Sequence, residues 1–172
     1  MTLSRRAFLA RSSAAFASLV PLSAPALALS QPLIGLECLH TGRSCAIAFD
    51  GSLSRSDADA FRSVTRDWRA NEIHKMDLRL IEILSQISRK AGAEQSYGLL
   101  SGYRTPNTNG ALRGTATRSL HMHGRALDIR RDDMSTHELS RIARELRLGG
   151  VGTYPQARNR FVHVDTGAVR YW

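Results

Sequence analysis

Four short segments concentrate the polar residues that could do chemistry: Ser101 to Arg104, Ser119 to Gly124, Ala126 to Ile129, and Phe161 to Asp165. The last two read as strands. Side chains alternate along a strand, so Ala126, Asp128 and Arg130 share one face while Leu127 and Ile129 take the other. His163 and Asp165 likewise share a face, with Val162 and Val164 opposite. If the two strands are neighbours, burying the aliphatic faces turns Asp128, His163 and Asp165 to the same side. His121, on the loop leading into the first strand, can fold over that surface. Two imidazoles and one carboxylate suit zinc and leave a fourth position open to water. A metal so held polarises a carbonyl and lowers the pKa of water, which is the chemistry of hydrolysis. Taken singly, each residue has a blander reading. A lone histidine is more often a surface or satisfied core residue, and a strand aspartate is often a turn or salt-bridge group.

Those residues need a scaffold, and the rest of the chain predicts one. Residues 36–50 read as a β-hairpin around Thr41-Gly42. That turn would place Cys38 opposite Cys45, at a separation compatible with a disulfide; two buried thiols are the alternative. A helix opens at Ser56 with a capping-box-like start and runs to about Trp68. A second spans about Asp77 to Ala91, buries Leu80, Ile81, Leu84 and Ile87, and stops at Gly92. Tyr97 to Ser101 reads as a short buried strand, and residues 102–123 as a long polar loop of the kind that carries function. A strand follows at 125–130. A third helix is capped by Ser135, runs to about Leu148 and is ended by Gly149-Gly150. Short strands close the chain at about 151–154, 160–165 and 168–171. The expected fold is α+β, with helices packed on a small, mostly antiparallel sheet.

The chain of 172 residues has room for one domain plus a leader. Residues 1–28 read as that leader. Arg5-Arg6 precede Phe8-Leu9, an acid-free apolar stretch runs from Ser12 to Leu22, and Ala26-Leu27-Ala28 offers a small-x-small cleavage pattern. The paired arginines resemble a bacterial twin-arginine export signal, which implies passage through the twin-arginine translocase. The apolar run is short for a membrane span and is broken by Pro21 and Pro25, so no stable anchor is expected after cleavage. The net charge is +9; loss of Arg5, Arg6 and Arg11 with the leader leaves +6 on residues 29–172. Such a charge can steer a protein toward an anionic polymer. No zinc finger, basic helix-turn-helix or RNP-like motif is visible, so nucleic acid is not the expected partner. Two cysteines are too few for a disulfide scaffold or a four-thiolate zinc site.

The pattern Ser119-x-His121-x-x-Gly124-x-Ala126-x-Asp128, followed later by His163, resembles the zinc metallopeptidases grouped around lysostaphin, the D-Ala-D-Ala peptidases and the hedgehog fold. Three further segments are similar to the twin-arginine-exported murein endopeptidases within that group. They are Ser101-Gly102-Tyr103-Arg104-Thr105-Pro106, Gly149-Gly150-Val151-Gly152-x-Tyr154-Pro155, and Val162-His163-Val164-Asp165-Thr166-Gly167-x-Val169-Arg170-x-Trp172. His40-Thr41-Gly42 and Arg66-Asp67-Trp68-Arg69 extend the likeness over most of residues 36–172.

The resemblance implies His121, Asp128 and His163 as zinc ligands. It implies Arg104 as the group that holds the substrate carbonyl and its oxyanion, with a structural salt bridge as the blander alternative, and Ser119 as a substrate contact or a residue that orients its loop. One role does not transfer. Many relatives carry Glu-x-x-His with the glutamate as general base, and position 160 here is arginine. Others carry His-x-His; here the pattern is His163-x-Asp165, which offers Asp165 as the base or as the partner that orients a ligand. His123 competes for the base but has the weaker position, and His40, His74 and His137 have no place in the site. The implied function is a zinc-dependent periplasmic endopeptidase acting on peptidoglycan stem-peptide cross-links, of D,D or L,D type. The alternative is a zinc-containing peptidoglycan-binding module without catalysis.

Overall fold

The computed structural model describes residues 33–92 and 95–172. The leader expected over 1–28 lies outside the described residues. Strand β1 (Leu33–Cys38) and strand β2 (Ser44–Ala48) form the first hairpin, followed by helix α1 (Arg55–Val64) and helix α2 (Arg79–Ala91). Strand β3 (Gln95–Ser101) leads to the short helix α3 (Pro106–Ala111), a 3-10 turn at Leu120–His123 and strand β4 (Ala126–Arg130). Helix α4 (Thr136–Leu146) precedes strands β5 (Gly150–Tyr154), β6 (Phe161–Asp165) and β7 (Arg170–Tyr171).

The seven strands form one sheet in the order β2-β1-β3-β4-β6-β5-β7. The β1–β3 and β5–β7 pairs are parallel and the other four are antiparallel. This is the expected α+β fold. The aliphatic side chains of β1, β4 and β6 join Phe61 and Val64 of α1, Ile81 and Leu84 of α2, and Leu139 and Ile142 of α4 in one contiguous core. Each such side chain, fully buried, contributes about 1.5–3 kcal/mol.

Several local expectations are corrected. The hairpin turn is two residues wider than Thr41-Gly42 alone would make it, because the Cys38 carbonyl accepts from the amides of both Thr41 and Gly42. Cys45 therefore pairs with Leu36 rather than Cys38, whose own amide bonds to the Arg43 carbonyl. Both cysteines are free thiols. Helix α1 is capped two residues early by Ser54, whose Oγ accepts from the Asp57 amide at 3.0 Å. It stops at Val64 because Asp67 Oδ1 takes the amides of Arg69 and Ala70 into a turn of its own. Helix α2 does end at Gly92, in the left-handed conformation that glycine favours. The polar loop 102–123 contains α3, with Pro106 in its first turn and Thr105 as its cap. In α4 the residue that takes the left-handed C-cap is Arg147, not a glycine.

Candidate metal centre

Strands β4 and β6 are neighbours, and Asp128 sits directly opposite His163 with Ala126 opposite Asp165. The inferred alternation holds: Leu127, Ile129, Val162 and Val164 enter the core, which leaves Asp128 and His163 on the other face. His121 arrives from the 3-10 turn. Ser119 caps that turn, its Oγ accepting from the His121 amide at 3.4 Å, and Gly124 closes it in the left-handed conformation.

Three atoms converge. His121 Nε2 lies 3.2 Å from Asp128 Oδ1 and 3.2 Å from His163 Nδ1, and His163 Nδ1 lies 2.9 Å from Asp128 Oδ1. The opposite edge of each ligand candidate is also held. His121 Nδ1 donates to the Gly102 carbonyl at 2.7 Å, which leaves the Nε2 lone pair facing inward. Asp165 Oδ2 lies 3.1 Å from His163 Nε2, which leaves Nδ1 for the cluster. The second oxygen of Asp128 pairs with Nη2 of Arg104, whose Nε donates to Ser101 Oγ at 2.7 Å. Two imidazoles and a carboxylate oxygen, each oriented by a partner behind it, are a donor set that fits a divalent metal ion.

The electrostatics follow from burial and pairing. Burial pushes the His121 pKa down, and the nearby Asp128 carboxylate only partly offsets it, so the ring is neutral and able to ligate. Burial alone would raise Asp128, but the two imidazoles hold its carboxyl far below the ordinary range. Burial also acts to lower His163, and hydrogen bonds to Asp128 and Asp165 outweigh it.

Asp165 is fully buried. Its Oδ1 accepts from the amides of Gly167 and Gly150 at 2.8 and 3.2 Å, and Arg170 Nη2 reaches Oδ2 at 2.7 Å. Burial favours its neutral form, yet these contacts and His163 hold it ionised, with a pKa down to about 2. The Gly149-Gly150 pair serves this site rather than the end of α4. A Cβ at Gly149 would lie 1.7 Å from the Asp165 carbonyl, and one at Gly150 would lie 2.5 Å from its Oδ2.

The structure thus brings together His121, Asp128, His163, Arg104, Ser119 and Asp165. His40 and His74 instead stack on Trp68 and Tyr103, at centroid distances of 4.1 and 4.3 Å. His123 and His137 are exposed. Sequence reasoning missed the Gly102 carbonyl, which shows no side-chain signal. It also missed the Arg170 clamp on Asp165, although the spacing of the two residues in the terminal motif was a signal for it. A cleft of about 530 Å³ opens over the cluster.

Residues 28–172 match the family described as peptidoglycan L,D-endopeptidase MepK. The peptidoglycan L,D-endopeptidase MepK of Escherichia coli (strain K12) is 36% identical over 178 residues, spanning 98% of this chain and 96% of that protein. The probable peptidoglycan L,D-endopeptidase MepK of Haemophilus influenzae is 38% identical over 112 residues, 62% of this chain and 59% of that one. This chain therefore belongs to the peptidoglycan L,D-endopeptidase MepK family, within the M15 peptidases.

Proposed function

We propose that this protein hydrolyses L,D cross-links between peptidoglycan stem peptides, with zinc held by His121 Nε2, Asp128 Oδ1 and His163 Nδ1. The observation that carries this reading is the convergence of those three atoms within 3.2 Å, each with its far side already held. The names of the relatives support the substrate and the L,D bond. Zinc, when bound, supplies Lewis acidity that polarises a carbonyl and lowers the pKa of water.

The chain's own residues do the positioning. Arg104 is anchored through Nε and Nη2, and its Nη1 has no partner among the described residues, so it is available to the substrate carbonyl and the charge that develops on it. Ser119 holds the turn that presents His121 and also lines the cleft. Of the two roles open to Asp165, orienting His163 is the one we adopt. The carboxylate is fully buried, clamped by Arg170 and directed at the ring nitrogen facing away from the cluster. The leader motif supports export by the twin-arginine translocase to the periplasm, leaving residues 29–172 as the peptidase domain. No described helix is long and apolar enough to cross a membrane.

The test uses purified dimeric muropeptides of both linkage types, with products read by mass spectrometry. Zinc-dependent splitting of the 3–3 dimer that chelator and His121→Ala both abolish is the expected result. Intact dimers in the presence of stoichiometrically bound zinc would instead favour a binding module.

A further inference from the structure

The cleft over the metal centre is lined by two groups of residues that the centre itself does not use. The first is Arg113 and Arg118, on the segment between α3 and the 3-10 turn. This segment is fixed in place. Asn109 Nδ2 donates to the Ala116 carbonyl at 3.1 Å, and Thr115 Oγ1 bonds to the carbonyls of Asn109 and Leu112 at 2.8 and 3.1 Å. Arg118 directly precedes the Ser119 cap. Both arginines are exposed, and neither makes a hydrogen bond or ion pair among the described residues. The charges of the other two guanidiniums in the cleft are each paired with a carboxylate, Arg104 with Asp128 and Arg170 with Asp165. Asp128 carries the only side-chain carboxylate among the cleft's described lining residues. The cleft therefore carries two uncompensated positive forks, matched in geometry to a carboxylate.

The second group is aromatic. Trp172 lies flat against Gly152, where a Cβ would come within 2.6 Å of the indole. Its Nε1 donates to the Tyr154 hydroxyl at 2.7 Å, and Tyr154 stacks on Phe161 at 4.5 Å between centroids. The indole centroid is 5.4 Å from the His163 ring. Trp172 is 46% exposed and Tyr154 37%, so a fixed apolar wall borders the cluster.

We propose that this pairing recognises the diamino-acid side chain at the cut carbonyl: its methylenes lie on Tyr154, Phe161 and Trp172, and its terminal carboxylate is held by Arg113 and Arg118. The proposal rests on the cross-link reading above. Where the third stem residue is a diamino diacid, a 3–3 link draws its cut carbonyl from that residue, whose methylene side chain ends in an amine and a free carboxylate. In a 4–3 link the residue that supplies the cut carbonyl is D-alanine, whose methyl reaches neither group. The cleft then selects the L,D bond by the side chain beside it, because a site built to pair a charged group loses those contacts with a substrate that lacks it.

The experiment uses full-length protein and two 3–3 dimers, one with the free terminal carboxylate and one with that carboxylate amidated. Turnover is measured with zinc, and binding by calorimetry on chelator-treated protein, where no cutting is needed. Amidation is expected to raise KM and Kd of the wild type about tenfold, the scale of a charge-assisted hydrogen bond. Arg113→Gln with Arg118→Gln raises both to a similar degree, holds kcat and abolishes the response to amidation; the Lys pair restores part of the affinity. Trp172→Ala raises KM while keeping the amidation response. A wild type indifferent to amidation, or an amidation penalty that persists in the double Gln variant, overturns the carboxylate site. An unchanged KM in Trp172→Ala overturns the aromatic wall. A wild type that binds the dimer in an arginine-dependent way but never cuts it sinks the hydrolase reading and leaves this site standing.

Discussion

Asp165 shows how one residue's environment selects among its possible jobs. An exposed aspartate two residues beyond a histidine could accept a proton from water. This one is enclosed by two backbone amides and Arg170, with a single face left for His163 Nε2. Asp165→Asn keeps the shape and removes the charge that, on the proposed metal-binding reading, makes the His163 ring a stronger ligand. The expected result is zinc affinity weakened by about 10–100-fold, the usual cost of losing a partner behind a metal ligand. Competition against a chromophoric chelator measures it, and unchanged affinity would return the proton-acceptor role to Asp165.

At the scale of elements, the site depends on how closely β5 and β6 approach. The Asp165 backbone and carboxylate occupy the space where side chains at residues 149 and 150 would sit. The two glycines therefore differ in what they protect. Gly149→Ala drives a methyl into a backbone carbonyl that cannot move without β6, so loss of the cooperative thermal transition is expected. Gly150→Ala presses on the Asp165 carboxylate and on the flexible end of Arg170. It should cost about 1–3 kcal/mol as an overpacking change and loosen zinc binding along with it. Thermal melts and metal titrations of the two variants separate these outcomes.

Across the whole molecule, the cleft is assembled from segments far apart in the chain, and Asp67 is one of the ties. It is buried, and its Oδ2 accepts from the Thr105 amide and hydroxyl at 2.8 and 3.0 Å, next to Arg104. Burial acts to raise its pKa, but hydrogen bonds from Thr108, Thr105 and Ala70 outweigh it and hold the carboxyl below the ordinary value of 3.8. A carboxyl lowered on folding adds stability that is complete above its unfolded value and is lost as pH falls through the folded one. Urea midpoints should therefore drop as the solution is acidified below about pH 4, and Asp67→Asn should flatten that part of the profile while lowering stability at neutral pH. A variant that keeps the wild-type acid slope would show that other carboxyls set it.

Much of this was legible in the sequence because it depends on local rules. Period-two alternation in 126–130 and 161–165 put Asp128 opposite the aliphatic face, and so too His163. Glycine at 92 and serine at 135 marked helix ends, and the motif around His121 pointed to a metal ligand. Other features were invisible locally. The Cys38–Cys45 register depended on which amides the Cys38 carbonyl accepts, and a slip of two residues keeps every side chain on its face, so no hydrophobic pattern reports it. Helix α3 is too short and too polar to show a period. The assignment of Asp165 to the back of His163 required Arg170, Gly150 and Gly167 to close around it, and the free charge of Arg113 and Arg118 shows only once the acid that lines the cleft, Asp128, is seen paired with Arg104. The sequence alone determined which residues could ligate a metal and which face of each strand they occupy. Which atom of each points inward, and what stands behind it, emerges from folding, because those depend on contacts between residues distant in the chain.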